Sequence, residues 1–417
     1  MSSLLTAVRA LGRRARLPAG ALAVTLAVIP FGSLSALHDR VVSGRIVDTV
    51  SQGRFLATPR DDGGRISYQI AFIKRHPPSG PTVYLLGGSA VRECIPTCDR
   101  LTTAIERRCG VRARVRVMGA CEQRLAGTLA IIDDLPPGDG DVVVIGVHHL
   151  SFVCGPAEAR AQLTGITLSQ PLSPQLTPSQ ALHDWVAARQ SDDPPETIRA
   201  GLLLHLARYR DKRGVPAFRG ASIAYRQHQY GQGSVLPAGA KRLSMRRWLR
   251  NRGGPDGPFY RDFDYSAALL AECVRLARAK GYEVLLMDCP QDAGVVRHAF
   301  DKYKAEYRPV CTQLVDTQGA HYANLNRTAH LVSGDFFDLY HLVPSGRVKW
   351  MPKLADTLAQ IFTDHPPPAL ALLVAASRPA PSPAPLKPSV SPSSSPAVGR
   401  FAGTIDPLAT ALGQAAP

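Results

Sequence analysis

Acidic residues are scarce in this 417-residue chain: 33 Asp and Glu stand against 49 Lys and Arg, a formal net charge of +16. The shortage is sharpest between Arg199 and Arg252, where thirteen Lys and Arg face one acid, Asp211, so that stretch alone carries +12 (thirteen minus one). Such a balance suits an anionic partner: nucleic acid, a phospholipid surface or a cell-envelope polymer. Aromatic residues are also few, 6% of the chain, and their sparseness in the basic stretch argues against nucleic acid as the partner. Cys94-x3-Cys98 has no second close cysteine pair beside it, which leaves His148-His149 as the means of completing a zinc site and makes disulfides or buried thiols the leading reading. No repeat at a fixed period is visible, so a solenoid or propeller is not expected. What the chain does have is 45% hydrophobic residues, ample for a packed core.

The first forty residues address the protein. Arg9, Arg13, Arg14 and Arg16 precede an uncharged run from Leu17 to Leu37, twenty-one residues, about enough to cross a bilayer core as a helix. Positive charge before the span predicts the amino terminus inside and the body outside. A cleaved signal peptide is the alternative, since Ser33-Leu-Ser35-Ala-Leu offers small residues for a cut. Either way the body is expected outside the cytoplasm, anchored or secreted. Export bears on the eight cysteines, because an oxidising compartment favours disulfides, whose pairing sequence alone cannot assign.

Beyond the anchor, residues 42–80 read as a juxtamembrane lead-in. From Thr82 strands and helices alternate. Strands are expected over Thr82–Leu86, Val111–Met118 and Asp141–Val147, and helices over Asp99–Arg108 and Glu122–Asp134. Such alternation points to βαβ units around a parallel sheet, an α/β fold. Residues 155–262, rich in Pro, Gln, Ser and Arg, read as a helical insertion or cap, in which Ser244–Arg250 resembles a basic helix suited to anionic headgroups. Regularity resumes with a helix from Tyr265 to Gly281, a strand over Tyr282–Pro290, a helix over Val295–Leu314 and a last helix over Lys349–Phe362. The folded domain is thus expected over 81–365, and residues 366–417 have the Pro/Ala/Ser makeup of a disordered tail.

Two stretches carry the chemistry. In Val83-Tyr-Leu-Leu-Gly-Gly-Ser89, an apolar strand runs into two glycines and a serine, placing a hydroxyl at the carboxyl edge of the sheet, the usual ligand-binding edge of open α/β folds. In Asp335-Phe-Phe-Asp338-Leu-Tyr-His341, an acid stands three residues before a histidine. A serine hydroxyl needs a base to take its proton, and imidazole suits because it titrates near neutrality. The imidazole in turn needs a carboxylate to hold its tautomer. Asp338 has the right spacing for one tight turn; Asp335, six residues before His341, does not. The candidate catalytic residues are therefore Ser89, Asp338 and His341. Val91 stands where the Gly-x-Ser-x-Gly elbow of α/β-hydrolases requires its second glycine.

These blocks resemble the SGNH, or GDSL-like, hydrolase family, in which a serine follows the first strand, an oxyanion-hole glycine the second and an oxyanion-hole asparagine the third, with Asp-x-x-His near the end. Leu-Gly-Gly-Ser89 is similar to the first block, with Gly88 in place of the more usual Asp. Val-Met-Gly119-Ala-Cys is similar to the second, and Ile-Gly146-Val-His148-His149 stands at the third with His148 where the asparagine would be. Asp338-Leu-Tyr-His341-Leu-Val-Pro-Ser-Gly346 is close to the last. The resemblance covers residues 82–155 and 264–363. It implies a flavodoxin-like three-layer sandwich around a parallel sheet, and an oxyanion hole built from Ser89, Gly119 and His148. It further implies serine esterase or O-acyltransferase chemistry through an acyl-enzyme, with no cofactor and no metal. The anchor and altered third block look most like extracytoplasmic envelope-modifying members. The implied partners are an acylated saccharide, glycan or lipid substrate, the membrane surface and a membrane acyltransferase. The alternative is an inactive SGNH-fold scaffold that binds the envelope.

Overall fold

The structure is a computed structural model, and it describes residues 62–120, 123–156, 158–159 and 235–368. The predicted span at Leu17–Leu37, most of the 155–262 stretch and nearly all of the tail lie outside these residues. The chain divides into two units, Met1–Ala371 and Leu372–Pro417, and every described residue belongs to the first. No helix among the described residues is long and apolar enough to cross a membrane.

Five strands form one parallel sheet: β1 (Thr82–Leu86), β2 (Arg114–Val117), β3 (Val142–Val147), β4 (Glu283–Asp288) and β5 (His321–Ala323), in the order β2-β1-β3-β4-β5. Strands β1 and β3 are buried along their whole length, as their unbroken apolar sequences require of central parallel strands covered on both faces. Alternate residues serve opposite layers. Tyr84, Leu86, Val143, Ile145, Val284 and Leu286 face one core, while Val83, Leu85, Val142, Val144, Leu285 and Met287 face the other. Helix α1 (Asp62–Arg75) packs on the first core with α4 (Leu125–Asp134), α6 (Pro258–Ala279) and α8 (Asp301–Gln318); α2 (Ser89–Arg92), α3 (Cys98–Cys109) and α9 (Pro344–Asp364) pack on the second. Two further α-helices are α5 (Ala238–Arg252), fifteen residues long, and the single turn α7 (Ala293–Val296). The fold is α/β with a parallel sheet between two helical layers.

Several expectations are corrected. The lead-in at 42–80 contains α1, whose Ile66, Ile70 and Ile73 lie in the core at helical spacing. Residues 238–262 are fastened to the core: α6 begins at Pro258 with Phe259 fully buried, and α5, exposed along much of its length, sinks Lys241 into the protein and packs Met245, Trp248 and Leu249 against the first core. The single helix expected over Val295–Leu314 is interrupted by Arg297, whose φ is +46°, and resumes at Asp301. Strand β5, three residues flanked by polar loops, adds a fifth strand that has no periodic signature in the sequence. Cys94, Cys109, Cys154, Cys273, Cys289 and Cys311 are free thiols, so the disulfide framework is replaced at these positions by mostly buried sulfur. Burial pushes the Cys94 and Cys154 thiols up to about 12, which makes them inert packing residues.

Candidate active site

Strand β1 ends at Leu86 and the chain reverses through Gly87, whose φ of +137° is closed to most side chains. Space forbids one too: a Cβ there would lie 2.9 Å from Val91 Cγ2 and 3.4 Å from the Gly146 carbonyl. Gly88 is extended and precedes Ser89, the first residue of α2. The double glycine thus delivers the serine hydroxyl to the carboxyl edge of the sheet, beside the point where the strand order reverses between β1 and β3. Gly119, after β2, presses on the same turn. A Cβ on it would lie 2.9 Å from the Gly87 oxygen and 3.3 Å from that of Gly88.

The second stretch folds as a small closed loop. Phe336 bridges Leu342 in antiparallel fashion, and Phe337 N–H donates to the His341 carbonyl at 2.8 Å. Inside it, Asp338 Oδ1 accepts the N–H groups of Tyr340 and His341, each at 2.9 Å, and Oδ2 lies 2.7 Å from His341 Nδ1. The three-residue spacing is what lets one carboxylate cap its own turn with one oxygen and orient the imidazole with the other. The far side of that ring meets the serine: His341 Nε2 lies 2.8 Å from Ser89 Oγ, across 252 positions of sequence. Burial raises the Asp338 carboxyl, but the hydrogen bonds from His341 and the two backbone N–H groups outweigh it and hold the group below its ordinary value. An ionised Asp338 can only accept, so His341 carries its proton on Nδ1 and offers Nε2 to the serine hydroxyl.

His148 follows β3 with its tautomer fixed from behind. Its Nδ1 accepts the Leu150 N–H at 2.9 Å, so in the neutral ring the proton resides on Nε2. Burial, then the charges of Arg124 and His341, lower its pKa to about 3. Around neutrality His148 is therefore an uncharged N–H donor, electrically within reach of His341 and stacked on the Tyr340 ring at 5.7 Å. His149 turns the other way into the core, between Trp248 and Phe300, with Nε2 3.0 Å from Tyr340 Oη. Cys94, Cys98, His148 and His149 do not form a group that could hold a metal ion among the described residues, which removes the zinc half-site.

Buried polar groups that carried no legible signal brace both halves of the site. Lys241 of α5 donates to Asp292 Oδ2 at 2.8 Å and to the carbonyls of Ser333 and Phe336, each at 2.9 Å. Asp292 also accepts the Ser333 hydroxyl at 2.7 Å, and its own N–H donates to the Leu339 carbonyl. All three protons of the ammonium are thereby used, two on carbonyls of the segment that leads into Asp338 and His341 and one on Asp292, whose N–H holds the same loop at Leu339. Leu236, just before α5, donates to the Phe337 carbonyl at 2.8 Å. On the serine side, buried Glu93 lies between Arg92 Nε at 2.8 Å and Arg347 Nη2 at 3.5 Å, and Arg347 Nε donates to the Leu342 carbonyl. Asp335 accepts from Val332 N–H, Ser345 and Lys349 and so fixes the start of α9; it takes no part in the triad. The sole lysine among the arginines of α5 was the one available hint for Lys241.

A hydroxyl, an imidazole and a carboxylate in sequence, beside a neutral N–H donor, can activate an oxygen nucleophile and stabilise an oxyanion. No protein-family model matches the chain, and no curated protein matches it.

Proposed function

We propose that this protein is a serine acyl-ester hydrolase or O-acyltransferase of the SGNH type, acting on acyl esters of cell-envelope saccharides or lipids outside the cytoplasm. One observation carries the reading: Ser89 Oγ, His341 Nε2, His341 Nδ1 and Asp338 Oδ2 are linked by contacts of 2.8 and 2.7 Å. The serine order after β1, the crowded Gly119 after β2 and the strand order support the SGNH sandwich as the finer description of the fold.

In this mechanism the Ser89 proton passes to His341 Nε2 as Oγ bonds to the ester carbon, and the carbonyl electrons move to oxygen. The resulting oxyanion is met by the backbone N–H groups of Ser89 and Gly119 and by His148 Nε2–H in the place of the family's asparagine. Collapse expels the alcohol, which takes the proton from His341 and leaves an acyl-serine. Water or a sugar hydroxyl then gives its proton to His341, attacks the acyl carbon and restores the serine. Hydrolase and transferase differ only in that acceptor. Asp338 stays ionised throughout and steadies the imidazolium. The envelope substrate, the membrane surface and a membrane acyltransferase as donor partner follow from the sequence resemblance and the basic stretch.

The test is covalent labelling by a fluorophosphonate, together with turnover of small acetyl esters. Wild-type protein is expected to label and Ser89→Ala to lose both signals. A folded wild type that neither labels nor turns over, yet binds envelope polymer equally well with and without Ser89→Ala, would establish the non-catalytic scaffold instead.

A further inference from the structure

At the amino edge of the sheet, opposite the triad, the structure assembles a second constellation. Glu283 opens β4, His321 opens β5 and His365 caps the carboxyl end of α9. One ligand atom from each lies within 4.8 Å of the other two. His321 Nε2 is 3.2 Å from Glu283 Oε2, and His365 Nδ1 is 3.9 Å from Oε1. The two imidazoles tilt about the same carboxylate with ring centres 5.5 Å apart. Arg278 Nη1 lies on the same oxygen as His321, 2.5 Å from Oε2, and Oε1 is the oxygen beside His365. Hydrogen bonds from His321 and Arg278 keep Glu283 ionised, lowering it to about 2 against the opposing effect of burial.

We propose that Glu283, His321 and His365 bind a divalent transition-metal cation of the zinc class, which fastens the end of α9 to the heads of β4 and β5. Two imidazoles and one carboxylate are a ligand set that suits zinc, with water as the fourth ligand. Tetrahedral bonds of about 2.0–2.1 Å set ligand atoms roughly 3.4 Å apart. The three ligand atoms, all within 4.8 Å of one another, need to draw together by at most about 1.4 Å (4.8 minus 3.4) to reach that spacing. They close by rotation of His365, which is half exposed at the helix end, and by a turn of His321 from Oε2 towards Oε1. Arg278 stays on the non-ligating oxygen and orients the carboxylate, as groups behind a ligand commonly do. No acidic cluster is involved; β4 and β5 are already paired in the sheet, and what the cation adds is a tie between them and the end of α9, which lies outside the sheet.

The experiment uses the full-length protein, stripped by chelator and titrated with Zn²⁺, with bound metal counted after dialysis and melting followed by circular dichroism. Wild type is expected to retain one more equivalent than His321→Ala/His365→Ala, and to melt about 5 °C higher when zinc is in roughly hundredfold excess over its Kd. Cobalt substitution is expected to give a visible spectrum without a thiolate charge-transfer band, separating this site from the cysteines. Equal zinc content in wild type and double variant, an unmoved melting curve, or a purely thiolate spectrum would overturn the proposal. Should the double variant not fold, Glu283→Gln keeps the side-chain shape and is expected to lose the equivalent alone; its retention would overturn the proposal as firmly. Labelling of Ser89 is independent of every outcome.

Discussion

His148 is where a single residue departs most from the resemblance, and the geometry gives the departure a physical account. The proposed mechanism takes His148 as an uncharged donor in place of an amide; the Leu150 N–H fixes the tautomer and burial suppresses its proton affinity. His148→Phe is expected to lower kcat by on the order of 10²–10³ with KM little changed, the loss typical of one oxyanion donor, while His148→Asn, restoring an amide donor, recovers part of it. Steady-state kinetics on an acetyl ester checks both. Asp338→Asn is expected to cost about 10⁴ in kcat with the fold intact, since an amide cannot hold the same imidazole tautomer. Ser89, Asp338 and His341 were legible because nucleophile chemistry restricts residue type and a tight turn restricts spacing. Lys241, Asp292, Glu93 and Arg347 were not legible, because what selects them is a carbonyl or carboxylate brought near only by folding.

Elements were legible in proportion to their periodicity. Strands β1, β3 and β4 are short runs of apolar residues and appear where expected; β5 and α1 depend on neighbours for their existence. Helix α5 is the instructive case. Its arginines Arg242, Arg246, Arg247 and Arg250 are exposed, as a basic helix requires, yet Lys241 one residue earlier is 1% exposed and paired with Asp292 at 0%. Reading the stretch as part of an insertion or cap follows from its Pro-, Gln-, Ser- and Arg-rich composition, which carries no sign of the buried Lys241. Removing one member of such a pair leaves an uncompensated buried charge, so Lys241→Met is expected to destabilise the protein by about 3–5 kcal/mol. Lys241→Met/Asp292→Leu, which removes both charges, is expected to recover much of that loss. Urea unfolding of the three proteins measures this. Ester turnover of the double variant at a temperature where it is folded is expected to remain below wild type, because the carbonyls of Ser333 and Phe336 have lost their donor.

At the scale of the whole molecule, buried titratable groups set how stability depends on pH. His148 and His149 are neutral in the fold, one lowered to about 3 and the other well below its ordinary value, in both cases chiefly by burial. Unfolded, each would bind a proton below about pH 6.5. Their contribution is therefore fully present above that pH and is lost as pH falls from 6.5 towards 3. Asp141, raised to about 6 by burial, acts in the opposite sense, its protonation favouring the fold as pH drops below 6. Asp288, whose carboxyl burial also raises, acts in the same sense as Asp141. The downward shifts of the two imidazoles predict a net loss: the urea midpoint is expected to fall between pH 7.5 and 5, and to fall less in His148→Asn. A midpoint that rises over this interval would show that the two carboxyls outweigh both rings.

The nucleophile stands near the beginning of the folded body and its base just ahead of the final helix, 252 positions later. On the proposed function, a chain that ends before His341 therefore has a serine without its base. A ribosome or export channel that has released only the first three quarters of the chain holds Ser89 apart from the imidazole that would activate it, and the proposed chemistry waits until His341 folds back onto the serine.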